Sequence, residues 1–381
     1  MSIRIGLDLL NLRNLQDGVG RFSRQLVTGL SSMDKENEYL LFARRNVAEG
    51  LEVKGSNFEK ISVNLPGGRM LPWNQVYFAL HSLHLPEMDL LHSPVSVSPL
   101  FLARRRPTLV TVHDLAFKRY PETCSKRSFR WWNHAWPACL KRVEHVVADS
   151  QSTKEDLRRY FGVPESKVSV VYPYVSLGAS RHASEELSRV RDRYRIPEKY
   201  LLFVGAPHKR KNLGTLLRAF RILKGEVSVP HGLVLVGPSG WAIKDLLEEI
   251  EALRLGGDVV LTGFIPDGEM SMIYQGADVF VFPSLYEGFG YPPLEAMASG
   301  TPVVMSGGSS LPEVGGDAVL YVDPGDPGDI AEKVGRILRD PQLSKQLTIA
   351  GYARSAVFSM ARTIRGYLDV YGRVIKTSSW A

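Results

Sequence analysis

The sequence has little cysteine and no long apolar run. Its 381 residues include only two cysteines, Cys124 and Cys139. Their spacing matches no metal-ligand pattern and is compatible with a reducing cytoplasm, so we predict two unpaired thiols. The apolar runs are no longer than a strand, which argues against a membrane-spanning helix. The first residues form a charged strand rather than a signal peptide, and a cytoplasmic location is therefore expected.

Low-complexity tracts and solenoid-type repeats are also missing. Hydrophobic residues make up 44% of the chain and charged residues 23%, as in ordinary globular proteins. This composition argues against disorder and supplies enough apolar material for more than one core. The length predicts about two domains.

The excess of positive charge is confined to the first half of the chain. Residues 1–175 contain 24 Lys and Arg against 17 Asp and Glu, whereas residues 176–381 contain 23 of each. A basic face of this kind binds anionic lipid, an acidic acceptor or nucleic acid. Because no nucleic-acid motif accompanies it, an anionic membrane surface or a lipid-diphosphate acceptor is the favoured partner. A basic surface that serves only solubility is the alternative.

Short apolar strands alternate with longer polar-apolar segments in both halves. The predicted strands are IRIGLDLL, YLLFA, DLLHSP, TLVTVHD, HVVADS and VSVVYPYV, followed by YLLFVGAP, GLVLVGP, VVLTGF, DVFVFP, TPVVM and AVLYVD. This alternation predicts an α/β fold of two doubly wound parallel sheets, with ligands at the carboxyl ends of the strands. The predicted domains are 1–175 and 176–357, and the segment 351–376 is predicted to be helical.

The stretch SLYEGFGYPPLEAMASGTPVV, residues 284–304, is the most informative part of the sequence. A strand leads into a glycine loop, and Pro292 and Pro293 fit the first turn of a following helix. Such a helix points unpaired N–H groups and its positive pole at the loop, which favours a phosphate there. Gly288 and Gly290 allow the backbone to come close to that phosphate.

Two carboxylates accompany this predicted phosphate site. Glu287 lies at the strand end, and Glu295 is placed in the first helical turn. Both would repel a diphosphate, but ionised carboxylates accept hydrogen bonds from the vicinal hydroxyls of a ribose or hexose. Phosphate and diols together indicate a nucleotide sugar. For each glutamate alone, the alternatives are a solvated loop residue and a carboxylate that favours the helix dipole.

A cationic turn follows the strand YLLFVG. Lys209, Arg210 and Lys211 precede a helix that Asn212 is expected to cap. Cations at such a turn are well placed to neutralise a diphosphate leaving group. Three solvated surface charges are the alternative interpretation.

The first half carries weaker signals. His113 and Asp114 follow the strand TLVTV, at the edge where a histidine could donate a hydrogen bond to a sugar hydroxyl. Gly20 and Arg21 lie in the loop DGVGRF, where a lone GxG is weak evidence and the dinucleotide fingerprint is missing. For these two, an ordinary tight turn and a solvated arginine are the alternative.

The segment KRSFRWWNHAWPACLKR, residues 126–142, places aromatic residues at helical spacing between basic ones. We predict that Phe129, Trp132 and Trp136 belong to the core. Trp131 and the basic residues are candidates for contact with a membrane or an acceptor.

These motifs together resemble the signature of retaining glycosyltransferase family 4. EGFGYPPLEAMASGTPVV carries the paired glutamates of that family, and the same pattern continues in SSLPEVGGDAVLYVDPGD, VTVHDLAFKRYPE and GVGRFSRQL. The resemblance implies the GT-B fold, in which two Rossmann-like domains face a cleft. It also implies that a C-terminal helix, about 358–376, crosses back to the first domain. Similar proteins are bacterial mannosyl-, glucosyl- or galactosyltransferases of surface polysaccharide synthesis, which includes lipopolysaccharide.

The resemblance also implies roles for single residues. Glu287 would contact the transferred hexose and Glu295 the ribose, while Lys211 would contact the diphosphate. Many relatives carry an arginine where this chain has Ala206, and Arg210 is the candidate substitute. The remaining candidate residues are the catalytic His113, near the scissile bond, and the donor-binding Gly20, Gly288, Phe289, Gly290 and Tyr291.

The predicted reaction moves a hexose, with mannose favoured, from GDP-mannose or a UDP-hexose to a hydroxyl of a glycan or polyprenyl-diphosphate-linked acceptor. Because both glutamates are assigned to diols, a front-face displacement is favoured over a covalent intermediate. No cofactor or metal is predicted, since no DxD-type pair is well placed and Lys211 can stand in for a cation. A sugar-nucleotide epimerase and a catalytically silent nucleotide-sugar-binding partner are the alternatives. The enzyme is expected in the cytoplasm, with a peripheral position at the inner face of the cytoplasmic membrane as a further possibility.

Overall fold

The structure is a computed structural model with two compact units. One unit comprises Met1–Tyr174 with Ser359–Ala381, and the other comprises Val175–Phe358. The residues that the structure describes are 2–64, 73–81, 83–95, 97–99, 106–176, 182–237 and 243–377. Within these residues, no helix is both long enough and apolar enough to span a bilayer.

The first unit contains a seven-stranded sheet in the order β3-β2-β1-β4-β5-β6-β7. All neighbouring strands are parallel. The interior strands β4, β5 and β6 are buried throughout, as expected for a parallel sheet covered on both faces. The strands are β1 (Arg4–Leu9), β2 (Glu38–Arg44), β3 (Phe58–Val63), β4 (Leu90–Ser93), β5 (Thr108–Val112), β6 (His145–Ala148) and β7 (Val168–Val170).

The helices of the first unit connect these strands, and the last helix of the chain joins them. They are α1 (Gly18–Met33), α2 (Arg45–Gly50), α3 (Trp73–Leu80), α4 (Ala116–Arg119), α5 (Lys126–Arg142), α6 (Gln151–Phe161) and α15 (Met360–Thr377). Buried polar contacts tie α15 to the sheet, because His92 bonds to the hydroxyls of Tyr371 and Thr111, each at 2.8 Å. The C-terminal helix therefore packs on the sheet of the first unit.

The second unit contains a six-stranded parallel sheet in the order β10-β9-β8-β11-β12-β13. Its strands are β8 (Tyr200–Val204), β9 (Gly232–Val236), β10 (Val259–Gly263), β11 (Val279–Phe282), β12 (Val303–Ser306) and β13 (Leu320–Val322). Its helices are α7 (Ser184–Tyr194), α8 (Leu213–Ile222), α9 (Ile243–Ala252), α10 (Asp267–Gln275), α11 (Tyr291–Ala298), α12 (Leu311–Gly315), α13 (Pro327–Arg339) and α14 (Pro341–Ala356). This order places β8 beside β11, although two strands separate them along the chain.

The two parallel sheets confirm the predicted fold class, with two local differences. Strand β3 escaped prediction because it has no continuous apolar run, and its residues are half-buried or exposed, as expected at the edge of a sheet. The segment 351–376 is not one helix, since α14 ends at Ala356 and α15 begins at Met360. In the segment 126–142, Trp136 is 3% exposed and belongs to the core, whereas Trp131 is 43% exposed.

Candidate functional site

The cationic turn lies between β8 and α8. Lys209–Lys211 form a short 3-10 turn in which Lys211 is buried and Lys209 is exposed. Asn212 is the N-cap residue of α8 and has a left-handed backbone with a φ of 58°, but its side chain makes no capping hydrogen bond. Asn212 thus occupies the predicted N-cap position but does not form a side-chain cap. The Asn212 amide instead donates to the carbonyl groups of Pro283 and Pro324, which ties this turn to the loops after β11 and β13.

The carboxylate of Glu287 meets both predicted cations. Its Oε1 accepts a hydrogen bond from Lys211 Nζ at 2.6 Å and its Oε2 accepts one from Arg210 Nη1 at 2.8 Å. Ser284, the second residue after β11, donates to the same Oε1 at 2.5 Å. Because β8 and β11 are neighbours, residues from two distant parts of the sequence form one cluster.

The charges of this cluster decide the ionisation of Glu287. Burial alone would raise the pKa of this carboxyl group, since only 7% of the residue is exposed. The positive charges of Arg210 and Lys211 outweigh burial and lower the pKa of Glu287 to about 2. At neutral pH the cluster therefore holds one negative and two positive charges, and its net charge favours an anion.

Two serines in the loop after β12 hold the backbone of the glycine loop. Ser309 Oγ accepts a hydrogen bond from the Glu287 amide at 2.9 Å. Ser310 Oγ lies within hydrogen-bond distance of the carbonyl oxygens of Glu287, at 3.0 Å, and Phe289, at 2.6 Å. The position of Glu287 is thus determined through its main chain as well as its side chain.

The glycine loop ends at Gly290, where the backbone conformation requires a glycine. Gly290 has a φ of 120°, and a Cβ on it would lie 2.9 Å from a methyl carbon of Leu311. The helix α11 begins at the next residue, Tyr291, which packs edge-to-face on Phe289 with the ring centroids 5.3 Å apart. Glu295 therefore lies beyond the first turn of α11, which corrects the placement predicted from the sequence.

Glu295 has a different environment from Glu287. Its Oε2 accepts a hydrogen bond from the Tyr274 hydroxyl at 2.8 Å, and 1% of the residue is exposed. Tyr274 is itself fully buried at the end of α10, where its ring packs against Phe280. A neutral phenol thus orients Glu295, whereas two cations surround Glu287.

In the first unit, His113 follows β5 and is engaged through both ring nitrogens. Nδ1 lies 2.7 Å from a carboxylate oxygen of Asp149, and Nε2 lies 2.7 Å from the carbonyl oxygen of Pro94. Burial lowers the pKa of His113, but the charge and hydrogen bond of Asp149 raise it above its ordinary value. An imidazolium that donates to both partners satisfies this geometry. Donation to a sugar hydroxyl requires one of these bonds to be exchanged, and that role stays a prediction.

Gly20 is the third residue of α1 and does not lie in the loop before the helix, which corrects the placement predicted from the sequence. Its amide donates to the capping carboxylate of Asp17 at 2.8 Å. A Cβ at this position would lie 2.3 Å from the carbonyl oxygen of Asn14, so the close approach of the preceding loop to α1 requires a glycine here. Contact of Gly20 with a phosphate stays a prediction.

A further buried carboxylate lies near the carboxyl end of β1. Asp8 is fully buried and accepts hydrogen bonds from the Asn74 amide and the Ser93 hydroxyl, each at 2.9 Å. Burial raises its pKa to about 6, and these hydrogen bonds offset burial only in part. Among the residues that the structure describes, no group of three or more His, Cys, Asp or Glu side chains is arranged to hold a metal ion.

Two family matches follow one another along the chain. Residues 16–178 match Glycosyltransferase Family 4, and residues 188–354 match Glycosyl transferases group 1. The chain belongs to glycosyltransferase family 4. The enzyme is therefore a glycosyltransferase that uses a nucleotide-sugar donor, and the family predicted from the sequence is confirmed.

The relatives of this glycosyltransferase include enzymes of O-antigen synthesis. O-antigen chain mannosyltransferase B of Escherichia coli is 28% identical over 369 residues, which cover 93% of this chain and 95% of that protein. Serotype-specific mannosyltransferase WbdA, also of Escherichia coli, is 30% identical over 245 residues, which cover 63% of this chain and 30% of WbdA.

Solved structures show the same fold for the enzyme. HepE from Anabaena, determined in complex with UDP and glucose, superposes with a TM-score of 0.75 at 19% identity. The superposition covers 97% of this chain and all of that one. The GT-B fold predicted for the glycosyltransferase is confirmed.

Several residues that contact the predicted site residues of the enzyme escaped the sequence interpretation. Ser284 is the second residue after β11, and its position three residues before Glu287 was the one available signal. Tyr274 and Asp149 had none, because each meets its partner only through the packing of neighbouring strands and helices.

Proposed function

We propose that this glycosyltransferase is a retaining hexosyltransferase that moves mannose from GDP-mannose to a hydroxyl group of a glycan or polyprenyl-diphosphate-linked acceptor. The observation that carries the donor assignment is the buried contact of Lys211 and Arg210 with Glu287. It joins two cations suited to a diphosphate with a carboxylate suited to sugar hydroxyls. The mannosyl preference rests on the relatives named above, and UDP-hexoses are the competing donors.

Each donor group has a proposed partner in the second unit. Lys211 and Arg210 bind the diphosphate, and charge-assisted hydrogen bonds to phosphate oxygens are the strong ones. Glu287 accepts from hydroxyls of the hexose. Glu295, held by Tyr274, accepts from the ribose diol. The backbone of Gly288, Phe289, Gly290 and Tyr291 lines the phosphate.

The proposed reaction is a front-face displacement with retention. The bond between the anomeric carbon and the diphosphate oxygen breaks as a bond from the acceptor oxygen to the same carbon forms. The acceptor proton passes to the departing phosphate oxygen, so no protein base is consumed. Lys211 and Arg210 stabilise the negative charge that develops on the leaving group. His113 is proposed to contact the hexose after exchange of one of its present hydrogen bonds.

The proposed acceptor places the enzyme at an anionic membrane surface. The outer face of α5 exposes Arg127, Arg130, Trp131 and His134, and α5 contains no acidic residue. A basic helix face with an exposed tryptophan favours the interface of an anionic bilayer. Sedimentation with phosphatidylglycerol vesicles tests this position. Binding should fall when Arg127 and Arg130 are both changed to Glu, and phosphatidylcholine vesicles should bind neither protein.

The transferase proposal is tested by donor binding and turnover in one panel. A donor at a hundred times its dissociation constant raises the free energy of unfolding by about 2.7 kcal/mol, which a thermal shift detects. GDP-mannose should shift the protein more than UDP-glucose or UDP-galactose, and Glu295→Gln should reduce the shift.

Turnover then distinguishes the reaction classes. GDP should form only when a polyprenyl-diphosphate-linked saccharide is present, and the product should retain the anomeric configuration of the donor. Interconversion of two nucleotide sugars without acceptor would identify an epimerase. Donor binding without turnover on a panel of acceptors would identify a silent binding partner.

A further inference from the structure

We infer that Glu287 acts as an internal counter-ion that sets a preference for the sugar-bearing donor over the bare nucleotide diphosphate. The inference rests on the proposed function of the same site. Besides its contact with the hexose, Glu287 then has a second role, which is electrostatic repulsion of the nucleoside diphosphate product.

The geometry shows that carboxylate and phosphate compete for the same cations. Glu287 Oε1 lies 2.6 Å from Lys211 Nζ and Oε2 lies 2.8 Å from Arg210 Nη1, so each oxygen is committed to one cation. A phosphate oxygen that reaches either cation must share it with the carboxylate or displace the carboxylate. Both cases bring like charges close together in a buried place, where their repulsion is poorly screened.

The carboxylate is not free to swing away. Ser284 donates to Oε1 at 2.5 Å, and Ser309 and Ser310 bond to the main chain on either side of the residue's side chain. Lys211 is equally confined, since it is 7% exposed and its ammonium group lies 4.8 Å from the centre of the Phe282 ring. The charges therefore stay close when a phosphate arrives.

The intact donor and the product meet this carboxylate differently. The intact donor brings hexose hydroxyls that donate hydrogen bonds to Glu287, which offsets the repulsion by its phosphates. The product lacks those hydroxyls, and its terminal phosphate has gained an ionisable oxygen. Transfer of the sugar thus removes the hydroxyls that bond to Glu287 and adds negative charge to the phosphate that Glu287 repels. Both changes favour release of the product.

The experiment compares Glu287→Gln with the unchanged enzyme by calorimetric titration with GDP, UDP and inorganic pyrophosphate. Glutamine keeps the size of the side chain and removes its charge. We expect the variant to bind the favoured nucleoside diphosphate about tenfold more tightly, a change of ~1.4 kcal/mol in binding free energy. Its affinity for the matching nucleotide sugar should gain less, so the preference for the intact donor should shrink.

Glu295→Gln is the matched control. It makes the same chemical change at the other buried glutamate of the motif, which accepts a hydrogen bond from the Tyr274 hydroxyl. This variant should not bind pyrophosphate more tightly. A gain of the same size in both variants would show a general effect of net charge and would overturn the inference.

A measurement on the unchanged enzyme covers the case in which Glu287→Gln does not fold. Without acceptor, the intact nucleotide sugar should bind more tightly than the corresponding nucleoside diphosphate, although the diphosphate carries more charge. Tighter binding of the diphosphate would overturn the inference, as would unchanged or weaker diphosphate binding by folded Glu287→Gln. In both cases sugar transfer by the unchanged enzyme would leave the proposed function standing. Absence of all nucleotide binding would overturn the proposed function as well.

Discussion

Two buried carboxylates near strand ends of the two sheets have pKa values shifted in opposite directions. Asp8 lies near the carboxyl end of β1 in the first unit, and Glu287 lies beyond the carboxyl end of β11 in the second. Both residues are less than one-tenth exposed. The pKa of Asp8 is raised to about 6, whereas the pKa of Glu287 is lowered to about 2.

The difference comes from the partners that neighbouring strands bring to each carboxylate. Burial raises the pKa in both places, because it disfavours the charged form. Within the described part of the chain, Asp8 accepts hydrogen bonds from the neutral groups of Asn74, Ser93 and the Leu10 amide, which do not compensate for burial. Glu287 meets two cations from the turn after β8, which more than compensate. A carboxylate at a strand end thus becomes part of a charged site only where the adjacent strand ends in cations.

The largest loss of stability and activity is expected when Glu287 loses a cationic partner, which makes its surroundings more like those of Asp8. Lys211→Met removes one cation and leaves the buried carboxylate facing Arg210 alone. Loss of one partner of a buried ion pair costs about 3 kcal/mol of unfolding free energy. Loss of charge stabilisation at the leaving group should lower kcat by roughly a hundredfold or more. Chemical denaturation and a sugar-transfer assay measure the two effects.

Lys209→Met is the control for that change. Lys209 belongs to the same turn but is exposed. Its replacement should change stability by less than ~0.5 kcal/mol and should leave transfer nearly intact. Equal losses in both variants would show that the turn contributes diffuse charge rather than a specific contact.

The fall of the unfolding free energy at acid pH provides the next test, which concerns the ionisation of Glu287. Its folded pKa lies below the unfolded value of 4.5, so its contribution is present above pH 4.5 and is lost as the pH falls towards 2. The shift corresponds to about 3 kcal/mol. The stability difference between the unchanged protein and Glu287→Gln should therefore shrink by this amount from pH 6 to pH 2. A difference that stays constant with pH would contradict the ion pair.

Asp8 should show the opposite pH dependence, with an effect of similar or slightly smaller size. Its folded pKa of about 6 lies above the unfolded value of 3.8, so its contribution is present below pH 3.8 and is lost as the pH rises through 6. The shift amounts to about 3 kcal/mol. Asp8→Asn should therefore gain stability relative to the unchanged protein between pH 4 and pH 8, as followed by urea unfolding. A stability difference that stays constant between pH 4 and pH 8 would contradict the raised pKa of Asp8.

The smallest effect is expected at Tyr274, which orients Glu295 without a charge. Tyr274→Phe removes one hydrogen bond to the carboxylate, with a cost of about 1 kcal/mol. If Glu295 binds the ribose, KM for the donor should rise roughly fivefold and kcat should change little. Tyr200→Phe is the control, because that tyrosine is equally buried but donates to the carbonyl of Ile273. A rise of KM in both variants would indicate loss of packing rather than loss of orientation.

Local patterns in the sequence were sufficient for the two sheets and for the motif that carries both glutamates. Alternation of apolar strands with amphipathic helices is a property of neighbouring residues, so all six strands of the second sheet could be predicted. The edge strand β3 could not, because its exposed residues give it no apolar run. The family resemblance added roles for Lys211, Glu287 and Glu295, and these stay proposals.

What each carboxylate contacts was decided only by the tertiary structure. Lys211 and Glu287 are 76 positions apart. They meet because β8 pairs with β11 as well as with β9, the next strand along the chain. Asp8 and Ser93 meet across β1 and β4 in the same way. The sequence by itself determined which strands and helices form and which polar groups stand at the strand ends. The order of the strands determined their neighbours, and the charge of those neighbours, acting over a few ångströms in a buried place, sets the protonation of each group.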